Sequence, residues 1–344
     1  MALKSWLRTP TARAVDDLRA DVQRLVSLVE RLETRQRADG DQLVKLTKHQ
    51  SAADRHRVAD REELIELIDG HRKTDAKWRK IFHNQINALV RHVCLPLERL
   101  SPPHALNARR FRLRSQNEED GILFALLERA GWGAQRFVEI GSGKSGGTAA
   151  SLAHECGWAG LMIELSAASV DLARRKFAGN RGVTVASARV MPDNVNTILT
   201  EHGYAGEVDL LSIDIDSYDY WVFEALTATS PRVLVLEYNA LFGADRRVTI
   251  PLDQSIEATP KGYGGASLAA LTALAARKGY RLVTCENTGV NAFFLRDDVA
   301  PATAGVSAAE AFKPLRSRVD LDDAEVIADI FGTIERLGLP LVEV

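Results

Sequence analysis

Phe137-Val138-Glu139-Ile140-Gly141-Ser142-Gly143-Lys144-Ser145-Gly146-Gly147-Thr148 is the stretch that decides the architecture of this chain. A short apolar run holding one acid, Glu139, passes straight into a glycine-rich turn, and Thr148 to His154 resumes as helix. Gly141, Gly143 and Gly146 satisfy G-x-G-x-x-G, a spacing that lets backbone approach a ligand closely where a strand gives way to a helix. The spacing alone is a weak signal, and the rest of the chain has to supply the context.

Moving outward, Gly160–Glu164, Val183–Ala186, Val208–Asp214 and Val233–Glu237 are further short runs of near-continuous apolar character. Alternating with helical stretches, they read as strands buried on both faces of a parallel sheet. Tyr280–Thr284 and Asn291–Leu295 are separated only by a tight connection around Glu286–Gly289, so this pair closes the sheet with an antiparallel edge. The fold class expected is therefore α/β, a doubly wound, Rossmann-like sheet of seven strands. A helix opens near Ser115–Asp120, where Ser115 or Asn117 can cap it and the acids suit its positive end. Gly131-Trp132-Gly133 stops it.

Three ligands compete for the glycine turn. A P-loop needs its first glycine where Val138 stands, inside the strand, and fails on that spacing although Lys144 and Asp214 imitate its parts. A nicotinamide dinucleotide fits better, since Glu164 follows at a distance suited to a ribose diol. Glu139 favours S-adenosylmethionine: a carboxylate two residues before the first glycine suits the amino group of a methionine moiety and would repel a pyrophosphate. The reversed strand pair near the end points the same way.

The segments SQNEEDGIL, FVEIGSG, GWAGLMIE, VDLLSIDIDSYDYWVFEAL, PRVLVLEYNA and KGYRLVTCENTGVNAFFLR resemble, in order and spacing, the FkbM-like class I S-adenosylmethionine-dependent methyltransferases. The resemblance covers about residues 112 to 297. It implies O-methylation of a sugar, glycan or secondary-metabolite hydroxyl, in proteins often encoded beside surface-polysaccharide genes. Ser145 departs from the pattern, because such loops often carry a third glycine there.

In a doubly wound sheet ligands bind beyond the carboxyl ends of the strands. Cofactor contacts are thus expected from Glu139, Gly141, Ser142, Gly143, Glu164 and Asp214, with Asn194 as a candidate after the third strand. Asp216, with Asp214 beside it, is the expected general base for an acceptor hydroxyl. Asp214, Asp216, Glu237 and Asn239 also form an oxygen-rich set that could hold Mg2+. Tyr218, Glu237, Asn239 and Tyr263 are expected at the acceptor, and the long segment Gly243–Gly265 as a lid over it. A glycosyltransferase reading of Asp214-x-Asp216 conflicts with the glycine turn.

The first hundred residues differ in kind. Leu18, Val22, Leu25, Val29 and Leu32 recur at steps of four and three, and the same register reaches Leu43, Leu46, Leu64 and Leu67. That heptad pattern predicts an α-helical coiled coil and a homo-oligomer, although Gln36, Asp39, Arg57 and Asp60 weaken its seam. The domain plan is 1–100 helical, 101–111 a proline-containing linker, 112–300 the methyltransferase domain and 301–344 a helical tail. The rival reading is an interaction protein whose coiled coil docks a partner beside a degenerate domain.

Of 344 residues 46% are apolar and the formal charge is −2. No basic block stands out in the globular part, which argues against nucleic acid. Three widely spaced cysteines without CxxC give neither a disulfide framework nor a zinc site. No secretory leader or transmembrane segment is expected, so the location expected is cytoplasmic.

Overall fold

The structure, a computed structural model, describes residues 102–253, 259–260, 262–316 and 329–344. The chain divides at Pro96/Leu97, and only the second unit, Leu97–Val344, holds described residues. The coiled coil expected over 1–100 and parts of the lid and tail lie outside them.

Seven strands form one sheet: β1 (Arg136–Ile140), β2 (Ala159–Glu164), β3 (Val183–Ser187), β4 (Gly206–Ile213), β5 (Thr229–Glu237), β7 (Tyr280–Cys285) and β8 (Asn291–Arg296), with β6 (Val248–Thr249) outside it. Their order is β3-β2-β1-β4-β5-β8-β7. β1 to β5 are parallel, and β8 enters antiparallel between β5 and β7. This is the doubly wound, Rossmann-like arrangement that the sequence predicts.

Alternation along each strand builds the two cores. Phe137, Met162, Leu210 and Val233 face one side, where they meet Leu106 of α1 (Pro102–Ala108), Ile122 of α2 (Glu119–Ala130), Leu152 of α3 (Ala150–Glu155) and Phe177 of α4 (Ala167–Phe177). Val138, Leu161, Leu211 and Leu234 face the other, against Leu199 of α5 (Val195–Glu201), Phe223 of α6 (Asp219–Ala225) and Leu271 of α7 (Leu268–Arg277). All these side chains are buried, each stabilising the fold by about 1.5–3 kcal/mol.

Residues 102–108 are helix, not bare linker, because proline at a helix start gives up no intrahelical hydrogen bond. Asn107 donates to the Cys285 carbonyl at 2.7 Å, which ties this helix to β7. The helix after Ser115 begins at Glu119 rather than at the serine. Asp120 draws the preceding coil together instead: its Oδ2 accepts the backbone N–H groups of Leu113, Arg114 and Ser115 and the Ser115 hydroxyl. The β7–β8 turn is anchored by buried Glu286, whose carboxylate accepts N–H groups from Thr288, Val290 and Asn291.

The tail is not helical throughout. α8 (Ala308–Ala311) and α9 (Ile330–Leu337) are followed by β9 (Val342–Glu343), which pairs antiparallel with β6. Ile330 and Ile334 of α9 join Phe242, Val248, Ile250 and Tyr263 in a third apolar layer. The expected lid is thus partly a strand-anchored wall, with Thr249 also bridged to Ala266. No helix among the described residues is long and apolar enough to cross a membrane.

Candidate active site

The carboxyl ends of β1, β2 and β4 enclose a cleft of about 520 Å³. Its floor is the glycine turn. Gly141 stands at φ +85°, and a Cβ there would collide with the Asp214 carbonyl oxygen, so only glycine lets β1 and β4 close at this point. The turn's later left-handed residues are Gly146 (φ 94°) and Gly147 (φ 59°), so Ser145 needs no glycine's freedom. Ser145 offers its carbonyl to Lys176 at 2.9 Å.

Glu139 does not reach the cleft wall. It is buried beneath the turn, its two oxygens accepting N–H groups from Thr148 (3.0 Å) and Ala149 (2.9 Å). Burial pushes its carboxyl up to about 8 despite those bonds. Its work here is to hold the turn against the start of α3. Glu164, at the end of β2, does line the cleft and accepts the Gly143 N–H at 2.8 Å and the Ser166 N–H at 2.8 Å. Ser142 also lines it, and its buried hydroxyl finds no hydrogen-bond partner within the protein.

Asn194 is a turn residue, not a wall residue: it accepts from Met191 N–H at 2.8 Å and donates to the Arg189 carbonyl at 2.9 Å. The wall it shapes is Ala188–Met191, which the sequence does not single out. Leu165, 62% exposed, and Ile215 add apolar surface to the same cleft. An orphaned hydroxyl, an acid at a strand end and an apolar slot suit a ligand with a polar chain, a ribose and a flat base, so the donor set fits S-adenosylmethionine.

A second cavity of about 390 Å³ lies beyond β5, lined by Glu237, Tyr238, Leu241, Tyr263 and Val290 among others. Asp216 lines both cavities. It adopts φ 60°, a strained setting for a non-glycine residue, and its N–H donates to Glu237 Oε2 at 3.3 Å. Asp214, Asp216 and Glu237 each place a carboxylate oxygen within 4.8 Å of the others. Burial, then the neighbouring Asp219 and Asp216, push Asp214 up to about 7. Burial and Asp214 hold Glu237 well above the ordinary carboxylate range. Asp216 keeps an exposed side chain, yet the concave rim around it raises its carboxyl too.

Asp219, the first residue of α6, holds the loop before the helix, accepting from the Ile215 and Ser217 N–H groups at 3.0 and 3.1 Å. Sequence alone passes over it. Asp214 and Asp216 stay on the rim. Asn239 is committed elsewhere: Oδ1 accepts from Leu241 N–H, and Nδ2 donates to the Gly262 and Gly264 carbonyls. It lines the second cavity together with Asp216 and Glu237. Tyr218 lies on the first cavity and Tyr263 on the second, where the Tyr263 hydroxyl donates to the Pro340 carbonyl at 2.5 Å.

No family model matches the chain, and no curated protein matches its sequence. Solved structures similar to it include the N-terminal domain of EvdMO1 in the presence of SAH and D-fucose (16% identity, TM-score 0.36, 52% of this chain and 80% of that one). CalS10, an amino pentose methyltransferase from Micromonospora echinaspora, is 15% identical at TM-score 0.35, over 52% of this chain and 90% of that one. The O-methyltransferase from Bacillus cereus in complex with SAH is 17% identical at TM-score 0.36, over 62% of this chain and 98% of that one.

Proposed function

We propose that this chain is an S-adenosylmethionine-dependent methyltransferase of the FkbM-like kind, acting on a hydroxyl of a small sugar, glycan or secondary-metabolite acceptor. One observation carries the reading: a cofactor-sized cleft and a second cavity meet at a single carboxylate, Asp216. Two ligands that must react need such a junction, and a simple docking module has no use for it.

When bound, S-adenosylmethionine supplies an electrophilic methyl group. Ser142, Gly143 and Glu164 would hold its polar parts, while Leu165 and Ile215 cover an apolar face. Tyr263, Tyr238 and Leu241 would position the acceptor, so that much of the rate comes from alignment for in-line transfer. Asp216 accepts the hydroxyl proton as oxygen attacks. Its raised carboxyl suits that task, because a general base works best with a pKa near the working pH. As the alternative to a general base, Asp214, Asp216 and Glu237, with Asn239 on the same cavity, are the donor set that would take Mg2+, a hard cation favouring oxygen ligands. A homo-oligomer built through residues 1–100 and a cytoplasmic setting belong to the same proposal.

Calorimetry with S-adenosylhomocysteine tests it. Wild-type chain should bind, and Glu164→Ala should bind roughly ten- to a hundredfold more weakly, as for loss of a charge-assisted hydrogen bond. Asp216→Asn should keep that binding but lose about 10²–10⁴-fold in labelled methyl transfer to a responsive acceptor. Absence of any binding heat, with heat from NAD instead, sinks the proposal.

A further inference from the structure

Residues 109–114, Arg-Arg-Phe-Arg-Leu-Arg, run as coil across the start of α2. Four arginines in six residues are a basic run where none was expected, and folding adds Arg129 beside Arg109. Arg110 and Arg114 are tied within the protein, to Glu118 at 3.3 Å and Glu155 at 2.9 Å. Arg112 and Arg129 point outward and are exposed. Arg129 lies close enough to Arg109 to feel its repulsion.

Between these cations runs an apolar ridge. Phe111 stacks on Phe124 with ring centroids 5.9 Å apart, Phe124 leans on Trp132 at 6.4 Å, and Trp132 meets buried Trp158 edge-on at 5.9 Å. Trp132 is 46% exposed and Leu113 43%. Single exposed apolar residues need no explanation, whereas a stacked ridge flanked by arginines marks an interaction surface.

We propose that this face docks on an anionic membrane surface. Trp132, Leu113 and Phe111 enter the boundary between headgroups and acyl chains, and Arg112 and Arg129 meet the lipid phosphates. An indole and aliphatic wedge beside arginines is what such an interface selects. A nucleic acid fits less well, because the isobutyl group of Leu113 offers nothing to a phosphate. The acidic rim lies on other elements, at the carboxyl ends of β4 and β5, and the inference is independent of the methyl-transfer proposal.

Co-sedimentation of the full chain with phosphatidylcholine vesicles, with and without one third phosphatidylglycerol, is the test. Residues 1–101 are present in every sample, so the variants isolate this face. Wild type should sediment with the anionic vesicles and not with the neutral ones. Leu113→Ser/Trp132→Ser and Arg112→Glu/Arg129→Glu should each weaken that binding by about tenfold or more. Arg112→Glu alone, on exposed coil, gives the answer if Trp132→Ser loosens the ridge. The proposal is overturned if wild type ignores anionic vesicles, if Arg112→Glu and both double variants bind like wild type, or if a single-stranded oligonucleotide competes the vesicles away at equal charge.

Discussion

Glu119 carries as much information as any residue at the rim, and its identity alone conceals it. It is buried, its Oε2 accepting from Asn117 N–H at 2.5 Å and its Oε1 from Asn291 Nδ2 at 3.1 Å. Burial, with Glu286 nearby, pushes it up to about 7 from 4.5. The buried Asn291 Oδ1 has no partner, and turning that amide over would let a protonated Glu119 donate to it. A carboxyl raised on folding holds its stabilising proton below its unfolded pKa and loses that stability as pH climbs through the folded value. Wild type should therefore lose roughly 3 kcal/mol between pH 4.5 and 8 from this group. Glu119→Gln should remove that slope, as urea unfolding at the two pH values will reveal; equal slopes in both proteins would refute it. In the sequence Glu119 reads only as an acid in a first helical turn. Glu164 and Asp216 were legible because an acid at a strand end has one place to go in this topology. Glu139 was assigned to the ligand, but the N–H groups of Thr148 and Ala149 claim it, and no spacing rule foretells which donors lie nearest.

At the scale of elements, the seven strands were legible because each is buried on two faces and so reads as an unbroken apolar run. The hairpin of β7 and β8 was equally plain, since five residues between two strands leave room only for a reversal. The β6–β9 pair was not: two-residue strands have no period, and their partners stand almost a hundred positions apart. Yet this pair sits behind residues that line the second cavity, Thr249 donating to the Gly265 carbonyl at 3.1 Å. Val344 N–H donates to the Arg247 carbonyl at 2.9 Å, Tyr263 is tied to Pro340, and Arg246 pairs with Glu343 at 2.5 Å. Ile334→Asp would place an unpaired charge in the third apolar layer, at a cost of about 3 kcal/mol or more. Amides of residues 248–250 and 262–265 should then exchange with solvent about a hundredfold faster, while those of β4 stay protected. Uniform loss of protection across both regions would show that the layer is not a separate unit.

For the whole molecule, the proposed oligomer rests on residues outside the described ones, and the heptad register supplies the test. Leu25→Asp and Leu32→Asp together put charge on two core positions of the predicted seam. Light scattering should give a multiple of 37.8 kDa for wild type and a smaller species for the variant. A wild-type mass near one chain would remove the coiled-coil oligomer from the proposal. Among the described residues the seven strands of the sheet fall between Arg136 and Arg296. The layer beside the second cavity asks for the far end of the chain. On a ribosome adding residues from the amino end, the glycine turn and its cleft have all their parts once β8 has emerged. The apolar layer that backs Tyr263 stays incomplete until Ile330 and Ile334 have emerged and Val342 and Glu343 are free to pair with Val248 and Thr249, so this layer matures last.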